Sequence, residues 1–416
     1  TLQWMPLGGT NGGLKGIASM SENELLAPYG PYTKGFAKWN EDGWSSYSAI
    51  GSMQLPNINA AAINSKDNSY WFTSNNVLLR IGNDQKIESI QPNNLMGGYK
   101  QIISDPNNTI WVIQDQQGLV QQNNTNWNSI LLPAGFLKNG LNQFIVNQQG
   151  QAWLIAPNNQ GLYVYQNKSV YNNEIWKQFT TQSNNGNLPS TNVKSLAKDL
   201  TGSIWVGTDN GIGIFNCGDI STEPCNAYLP IVNNNGFNGY LFQKETVNCI
   251  QIDGANRKWI GTNNGAWLLS ADGTKIIEHF TILNSPLPND TVVQILIQPN
   301  TGEVFINTVN QMVSYRGTAT EGKESQSTVV QIFPNPVSSN FNGLIAIRGL
   351  VENALVKITD LNGKLLFQTI ALGGQALWNG KGLEGQKVAT GIYLVFIRDL
   401  TGNEKSVGKI VIADGY

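Results

Sequence analysis

The residues of this chain that could do chemistry are few, and most of them are amides. His279 is the only histidine, which nearly excludes a histidine-based triad or zinc chemistry. The turns Asp105-Pro106-Asn107-Asn108, Asp199-Leu200-Thr201-Gly202 and Asp253-Gly254-Ala255-Asn256 lack the dense alternating acids of a calcium loop. They read instead as turns, in which Asp and Gly satisfy backbone geometry. No metal or cofactor is expected. Cys217 and Cys225 flank the Gly218–Pro224 loop, so they either pair as a small staple in an oxidising compartment or stay free. Cys249, in Val247-Asn248-Cys249-Ile250, reads as a buried small hydrophobe.

The remaining polar candidates fit sugar better than catalysis. Asn75-Asn76, Gln116-Gln117, Asn158-Asn159-Gln160 and Asn263-Asn264 recur at matching places. Amides hydrogen-bond hydroxyls but supply neither nucleophile nor general base. Asp115 and Asp209 are the acids among these loops, both at turn positions. Carboxylates distant in sequence can still meet across a fold, but no pair is marked here, and the expectation is a protein that is not an enzyme. One loop departs from the others: Pro28-Tyr29-Gly30-Pro31-Tyr32-Thr33-Lys34-Gly35. Tyr29, Tyr32 and Lys34 could stack on and pair with an anionic sugar. The alternative is that the Tyr rings pack on a neighbouring element.

What positions these loops is a recurring strand signature. It is clearest in Ile204-Trp205-Val206-Gly207-Thr208-Asp209-Asn210-Gly211 and Trp259-Ile260-Gly261-Thr262-Asn263-Asn264-Gly265. The anchors Trp71, Trp111, Trp153, Trp205, Trp259 and Phe305 are spaced by 40, 42, 52, 54 and 46 residues, the period of a four-stranded propeller blade. A further copy without its Trp lies at Leu25-Leu26-Ala27-Pro28. In the best repeat, Val193–Asp199 is an inner strand, Ile204–Thr208 the second and Ile212–Phe215 the third. Both faces of the second strand should be buried, with the Trp wedged between blades. The last repeat ends at Tyr315 without a fourth strand, and Leu2–Leu7 looks like an outer strand without a blade. Pairing the two would close a ring and remove both edges.

Charged residues make up 13% of the chain and the net charge is −2, which argues against a phosphate-tracking nucleic-acid protein. No apolar run approaches the roughly 20 residues of a membrane span. A signal peptide is not seen, and Thr1 fits a mature form or a fragment. After Tyr315 the composition changes. Residues 318–328 read as a polar linker, and residues 329–416 as a small β-sandwich of seven short strands, immunoglobulin-like in pattern. The expected class is all-β, with a seven-bladed β-propeller over residues 1–317 and an immunoglobulin-like sandwich behind it. Pro334 and Pro336 should stop strand pairing on entry to the sandwich. Gly391 and Tyr393 look like a strand start carrying a packed aromatic.

The sandwich resembles a known family. Phe333-Pro334-Asn335-Pro336, Val356–Gly363, Gly391-Ile392-Tyr393-Leu394-Val395 and Lys409-Ile410-Val411-Ile412 are similar to the C-terminal sorting domain of type IX secretion substrates in Bacteroidetes. On that resemblance Pro334, Asn335, Pro336, Gly391, Tyr393 and Lys409 are motif positions. The blades at Trp205 and Trp259 resemble the two-component-regulator propeller repeat; Ser74, Gln114 and Ala156 depart from it. The long segment Gly373–Lys381, the entry Ser314–Gly322 and the opening around Gly12-Gly13-Leu14 resemble the PorZ family of type IX components, whose second propeller would begin here. The resemblance implies a missing first propeller, a non-enzymatic cell-surface role at the outer membrane, and a complex with a PorU-like sortase and an outer-membrane PorV-like protein. It also implies binding of anionic lipopolysaccharide, presented to the sortase. The competing expectations are a secreted cargo with a glycan-binding propeller and a cleavable sorting domain, and a periplasmic sensor domain. Asp290-Thr291-Val292 fits an O-glycosylation pattern of Bacteroidetes.

Overall fold

A computed structural model describes residues 4–6, 19–20, 24–29, 33–40, 43–92, 98–114, 118–123, 126–130, 132, 143–168, 173–220, 224–234, 237–323 and 330–414. These residues are built from β-strands, with no α-helix among them. Among the described residues, seven antiparallel sheets of three or four strands follow one another along residues 4–316, with two separate two-stranded hairpins, one of them Ala49–Ile50 with Met53–Gln54. Sheets one to four span Ser19–Tyr47, Ile58–Ile90, Tyr99–Ile130 and Phe144–Phe179, each with four strands in chain order. Sheet five has three strands, Val193–Lys198, Ile204–Thr208 and Gly211–Phe215, followed by a separate hairpin, Ile231–Asn234 with Phe237–Tyr240. Sheet six spans Val247–Phe280. Sheet seven is made of Val292–Ile297, Glu303–Thr308 and Met312–Arg316, and its fourth strand comes from the other end of the chain. Trp4–Pro6 pairs antiparallel with Met312–Arg316, Trp4 opposite Tyr315. The expected closure is therefore present.

Local chemistry explains why these stretches fold back where they do. Asp105, Asn147, Asp199 and Asp253 each accept the N–H groups two and four residues ahead through one side-chain oxygen, at 2.8–3.1 Å. Each closes the turn between the first and second strands of a sheet. The turn role read from the sequence is thus what the acids do. The Thr of the signature works at the other end. Thr208 Oγ1 donates to Gly211 O at 2.9 Å and accepts from Asn210 N at 3.0 Å, and Thr262 and Thr308 repeat the arrangement. The signature Gly has a packing reason. A Cβ on Gly207 would lie 2.6 Å from Val247 Cγ1, and one on Gly261 2.7 Å from Val292 Cγ1. Both glycines let the next sheet come close.

Burial then links the sheets in a circle. Trp71 packs with Tyr99 and Val112 of the next sheet, Trp111 with Phe144 and Leu154, and Trp153 with Leu196 and Val206. Trp205 meets Val247 and Ile260, and Trp259 meets Val292 and Ile306. Sheets one and two share Leu26, Phe36, Ile58 and Phe72. The circle closes where Phe305 and Met312 of sheet seven pack on Leu25, Ala27 and Trp39 of sheet one. Burying such an indole is worth roughly 4–6 kcal/mol as an upper figure.

One seam also holds a charge pair. Lys258 is fully buried, with Nζ 3.1 Å from Asp199 Oδ2 across sheets five and six. Its ammonium donates to Asn256 O at 2.8 Å and Ala271 O at 2.5 Å, and stands 4.8 Å from the Trp205 ring centroid. Asp199 Oδ2 also accepts the Trp205 indole N–H at 3.0 Å. Burial would raise the Asp199 pKa, but hydrogen bonds from Thr201 and Trp205 and the Lys258 charge outweigh it and hold it below 3.8. Burial lowers the Lys258 pKa below 10.5, against the pull of Asp199.

Residues 331–413 form two packed sheets. One has three strands, Gln331–Phe333, Ile345–Arg348 and Gln375–Trp378; the other has five, built around Gly391–Arg398 and Glu404–Ala413. A short strand the sequence did not reveal, Val337–Ser338, pairs parallel with Ile412–Ala413. The core holds Trp378, Val356, Ile358, Val395 and Ile410.

The polar stretch between the two parts is not an open tether over residues 318–323. It forms a strap held on both sides. Glu321 N donates to Pro299 O at 2.7 Å on the propeller, while Gly374 N donates to Thr320 O at 2.8 Å and Lys323 N to Leu350 O at 3.0 Å on the sandwich. Ala319 and Thr320 are buried. Four glycines make room: a Cβ on Gly254, Gly302, Gly373 or Gly374 would come within 2.0–2.1 Å of a strap carbonyl. Sheet six even alters its turn for the strap. Asp253 Oδ2, placed like the Asp105 and Asp199 oxygens that take an indole N–H, instead accepts Arg257 Nε at 2.7 Å, and Arg257 reaches Thr318 Oγ1 at 2.8 Å. Arg348 Nη2 bridges directly to Thr301 O at 3.0 Å.

Two outcomes follow from these contacts. Asp199→Asn leaves Lys258 buried without its counter-charge and should lower unfolding stability by about 3–5 kcal/mol at neutral pH. Because folding depresses the Asp199 pKa, its contribution is complete above 3.8 and fades as pH falls through the lower folded value. Denaturant titrations of both proteins should therefore converge in acid; an equal gap at every pH would contradict the pairing. Gly254→Val should drive Thr320 off the propeller, splitting one calorimetric transition into two and opening the strap to protease. A single transition with an uncut strap would show that the strap does not join the parts.

Candidate functional site

The same turns and hairpins define two ends of the ring. The sandwich and strap sit against the turns at Gly254 and Thr301, between first and second strands. At the opposite end lie the starts of the inner strands and the second-to-third-strand hairpins. A cavity of about 640 Å³ opens there, walled by sheets four to seven, within the range of ligand sites. By contrast, the slot between Val337, Phe341 and Ile345 in the sandwich, about 10 Å³, admits no ligand.

A repeated irregularity shapes this mouth. In sheets two, three, five, six and seven the inner strand pairs with its neighbour through a bulge at its second residue. The bulged residues are Asn59, Lys100, Lys194, Asn248 and Val293. Bulges re-aim a side chain that regular pairing would fix, and Lys194, Asn248 and Val293 all line the cavity. The amide at this place has a structural use. Asn59 Nδ2 donates to Asn75 Oδ1 at 2.9 Å and to Tyr99 O at 3.0 Å, and Asn248 Nδ2 donates likewise to Asn263 Oδ1 and Val292 O. Each ties its own hairpin to the first residue of the next sheet. In sheet five, Ser195 Oγ reaches the next sheet instead, donating to Val247 O at 3.2 Å. Lys194 is thereby released; it is exposed and makes no hydrogen bond or ion pair among the described residues.

The rest of the wall is amide and apolar: Gln143, Asn158, Asn159, Asn192, Gln294 and Asn307, with Ile155, Pro157 and Val193. Among the described residues no carboxylate lines it. Asp209, nearby, accepts Asn192 Nδ2 at 2.8 Å. Cys249 forms part of the wall, its thiol pushed up to about 12 by burial. Among the described residues no cluster of His, Cys, Asp and Glu could hold a metal ion.

Of the residues singled out on the Pro28–Gly35 loop, Tyr29 and Lys34 do not join this cavity. Tyr29 is half-buried against the seam of sheets seven and one, and its hydroxyl donates to Ser46 Oγ at 2.8 Å. Lys34 is exposed on the same loop. Tyr32, Asp115, Gln116 and Gln117 lie outside the described residues. Of the loop amides, Asn158 and Asn159 do reach the mouth. The bulged lysine went unnoticed in the sequence, although alignment of Val193-Lys194 with Val247-Asn248 carried the signal. Asp290-Thr291 sits at the start of sheet seven, with Asp290 Oδ1 accepting Ile282 N at 2.8 Å.

In the sandwich, Asn335 acts as a strand surrogate. Its side chain donates to Lys409 O and accepts from Val411 N, both at 2.9 Å. Pro334 and Pro336 on either side follow cis peptide bonds, and pairing stops between Phe333 and Val337 as expected. Tyr393 is buried edge-on to Trp378, ring centroids 5.8 Å apart, and its hydroxyl donates to Ala389 O at 2.5 Å. That resembles the tyrosine corner of immunoglobulin-like sandwiches. Gly391 opens this strand, and Lys409 exposes its side chain on the partner strand. Cys217 and Cys225 form a disulfide.

Comparison with known proteins adds the following. Residues 331–413 match the secretion system C-terminal sorting domain family. The fold is similar to that of PorZ from Porphyromonas gingivalis, described as an essential bacterial surface component of the type IX secretion system: 20% identity, TM-score 0.64, covering 98% of this chain and 61% of PorZ. This chain thus spans about three-fifths of that protein. It is also similar to the extracellular domain of a protein from B. thetaiotaomicron described as a hybrid two component system, at 12% identity and TM-score 0.54, covering 99% of this chain and 59% of that one. Virginiamycin B lyase from Staphylococcus aureus matches at 14% identity and TM-score 0.53, over 76% of this chain and 99% of the lyase. Comparison with curated sequences gave no match. At these identities the structures show a shared all-β propeller fold, and the sorting domain associates the chain with type IX secretion.

Iodoacetamide at pH 8 should leave Cys249 unmodified in the native protein and alkylate it fully after unfolding, as read by peptide mass. Rapid labelling of the folded chain would mean that the cavity wall opens at this strand.

Proposed function

We propose that this chain is a non-enzymatic cell-surface component of the type IX secretion machinery, held at the outer membrane. In this reading its propeller binds anionic lipopolysaccharide and presents it to a PorU-like sortase, in a complex with a PorV-like outer-membrane protein. The observation that carries the reading is the strap. A sorting domain destined for removal needs an open, cleavable connection, whereas here Ala319 and Thr320 are buried and the backbone of residues 320–323 is bonded to both folded parts. The amide-rich mouth, with no carboxylate among its described lining residues, supports a binding role over a hydrolytic one. The disulfide fits an exported protein, and no helix among the described residues could span a membrane.

Intact mass and peptide mapping of the protein isolated from its native cell surface test this directly. The expected result is a chain that retains residues 331–413 and co-purifies with a sortase. A mature form that has lost those residues and carries a glycolipid at its new terminus would make the chain a cargo and overturn the reading.

A further inference from the structure

We infer that the propeller mouth is a binding site for an acidic carbohydrate, with Lys194 as the charge-selecting residue. The inference deepens the reading above, resting on its glycan-binding role, and assigns that role to particular atoms. Three observations converge. The cavity is large enough for two or three sugar rings. Its polar lining is amide, the group type that both donates to and accepts from hydroxyls. The one cation among its described lining residues, Lys194, stands where sheets two and six place a structural asparagine.

The substitution changes what the position can do. Asn59 and Asn248 are held by the two groups they bridge. Lys194 bridges nothing, because Ser195 has taken over the contact to Val247 O. An unpaired ammonium at the rim of a cavity whose described lining holds no carboxylate attracts a uronate or phosphosugar and gives no advantage to a neutral one. Asp209, the nearby acid of the same hairpin, is engaged by Asn192. The apolar strip formed by Val193, Val293 and Pro157 offers a surface for a sugar ring face.

The test uses the full chain, with trigalacturonate and neutral maltotriose as probes in isothermal titration. Trigalacturonate should bind and weaken as salt is raised, and maltotriose should bind at least roughly tenfold less tightly. Lys194→Gln should cost trigalacturonate about tenfold or more and leave maltotriose unchanged. Lys194 is exposed and makes no hydrogen bond or ion pair among the described residues, so this variant should unfold like the parent. Lys34→Gln, on the loop outside the mouth, should bind as the parent does. Equal affinity for both probes, an unchanged Lys194→Gln, or no binding of trigalacturonate would overturn the inference. None of these outcomes depends on whether the sorting domain is retained, so loss of that domain on the cell would sink the machinery reading and leave this site standing.

Discussion

Ring closure is the constraint on which the rest of the molecule depends. A sheet with both faces apolar is stable only between two neighbours, and the first and last sheets of a row have one each. The chain solves this by returning Trp4–Pro6 to the edge of sheet seven, which brings Phe305 against Trp39 and removes the seam. Each anchor tryptophan is then buried by the sheet that follows it. The mouth exists for the same reason: inner strands arranged around an axis leave a space that side chains only partly fill.

Within the ring, specificity is added by polar groups where burial alone would permit slippage. The carboxylate turns fix where the first strand ends, and the threonine hairpins fix where the second ends. The buried Lys258–Asp199 pair joins sheets five and six at 3.1 Å. A buried pair contributes little net stability but disfavours other registers strongly once formed. Sheet five tolerates the absence of an outer strand because Ile214 bridges Tyr228 and the disulfide holds the loop between them.

Much of this was legible in the sequence, for identifiable reasons. The Trp-x-Gly-Thr-x-x-Gly pattern is visible because packing, close approach and hairpin closure each demand one residue type. The closing strand was legible because a blade lacking a strand and a strand lacking a blade are complementary. The bulges were not, since a bulge is a property of pairing and leaves no composition signal. The strap was missed for a related reason. Residues 318–323 are polar because their backbone is satisfied by Pro299, Leu350 and Gly374, partners distant in the chain, and a sequence window cannot separate that from solvent exposure. The paired glycines at Gly373-Gly374, opposite Gly254, were the clue. On the loop carrying Tyr29 and Lys34, aromatic residues serve packing as readily as ligands, and Tyr29 packs at the seam of sheets seven and one.

The proposed carbohydrate-binding mouth lies at one end of the closed ring and the sorting domain is docked at the other, so the two face opposite ways if the strap holds the parts as one body. Amide hydrogen exchange on the full chain, read by mass spectrometry across residues 318–323, tests that rigidity most directly. The account predicts that Glu321 and Lys323 exchange as slowly as the central blade strands, because their N–H groups are bonded to opposite parts of the molecule. Exchange at the rate of an open tether would contradict it, leaving the sandwich free to swing and to be cut away.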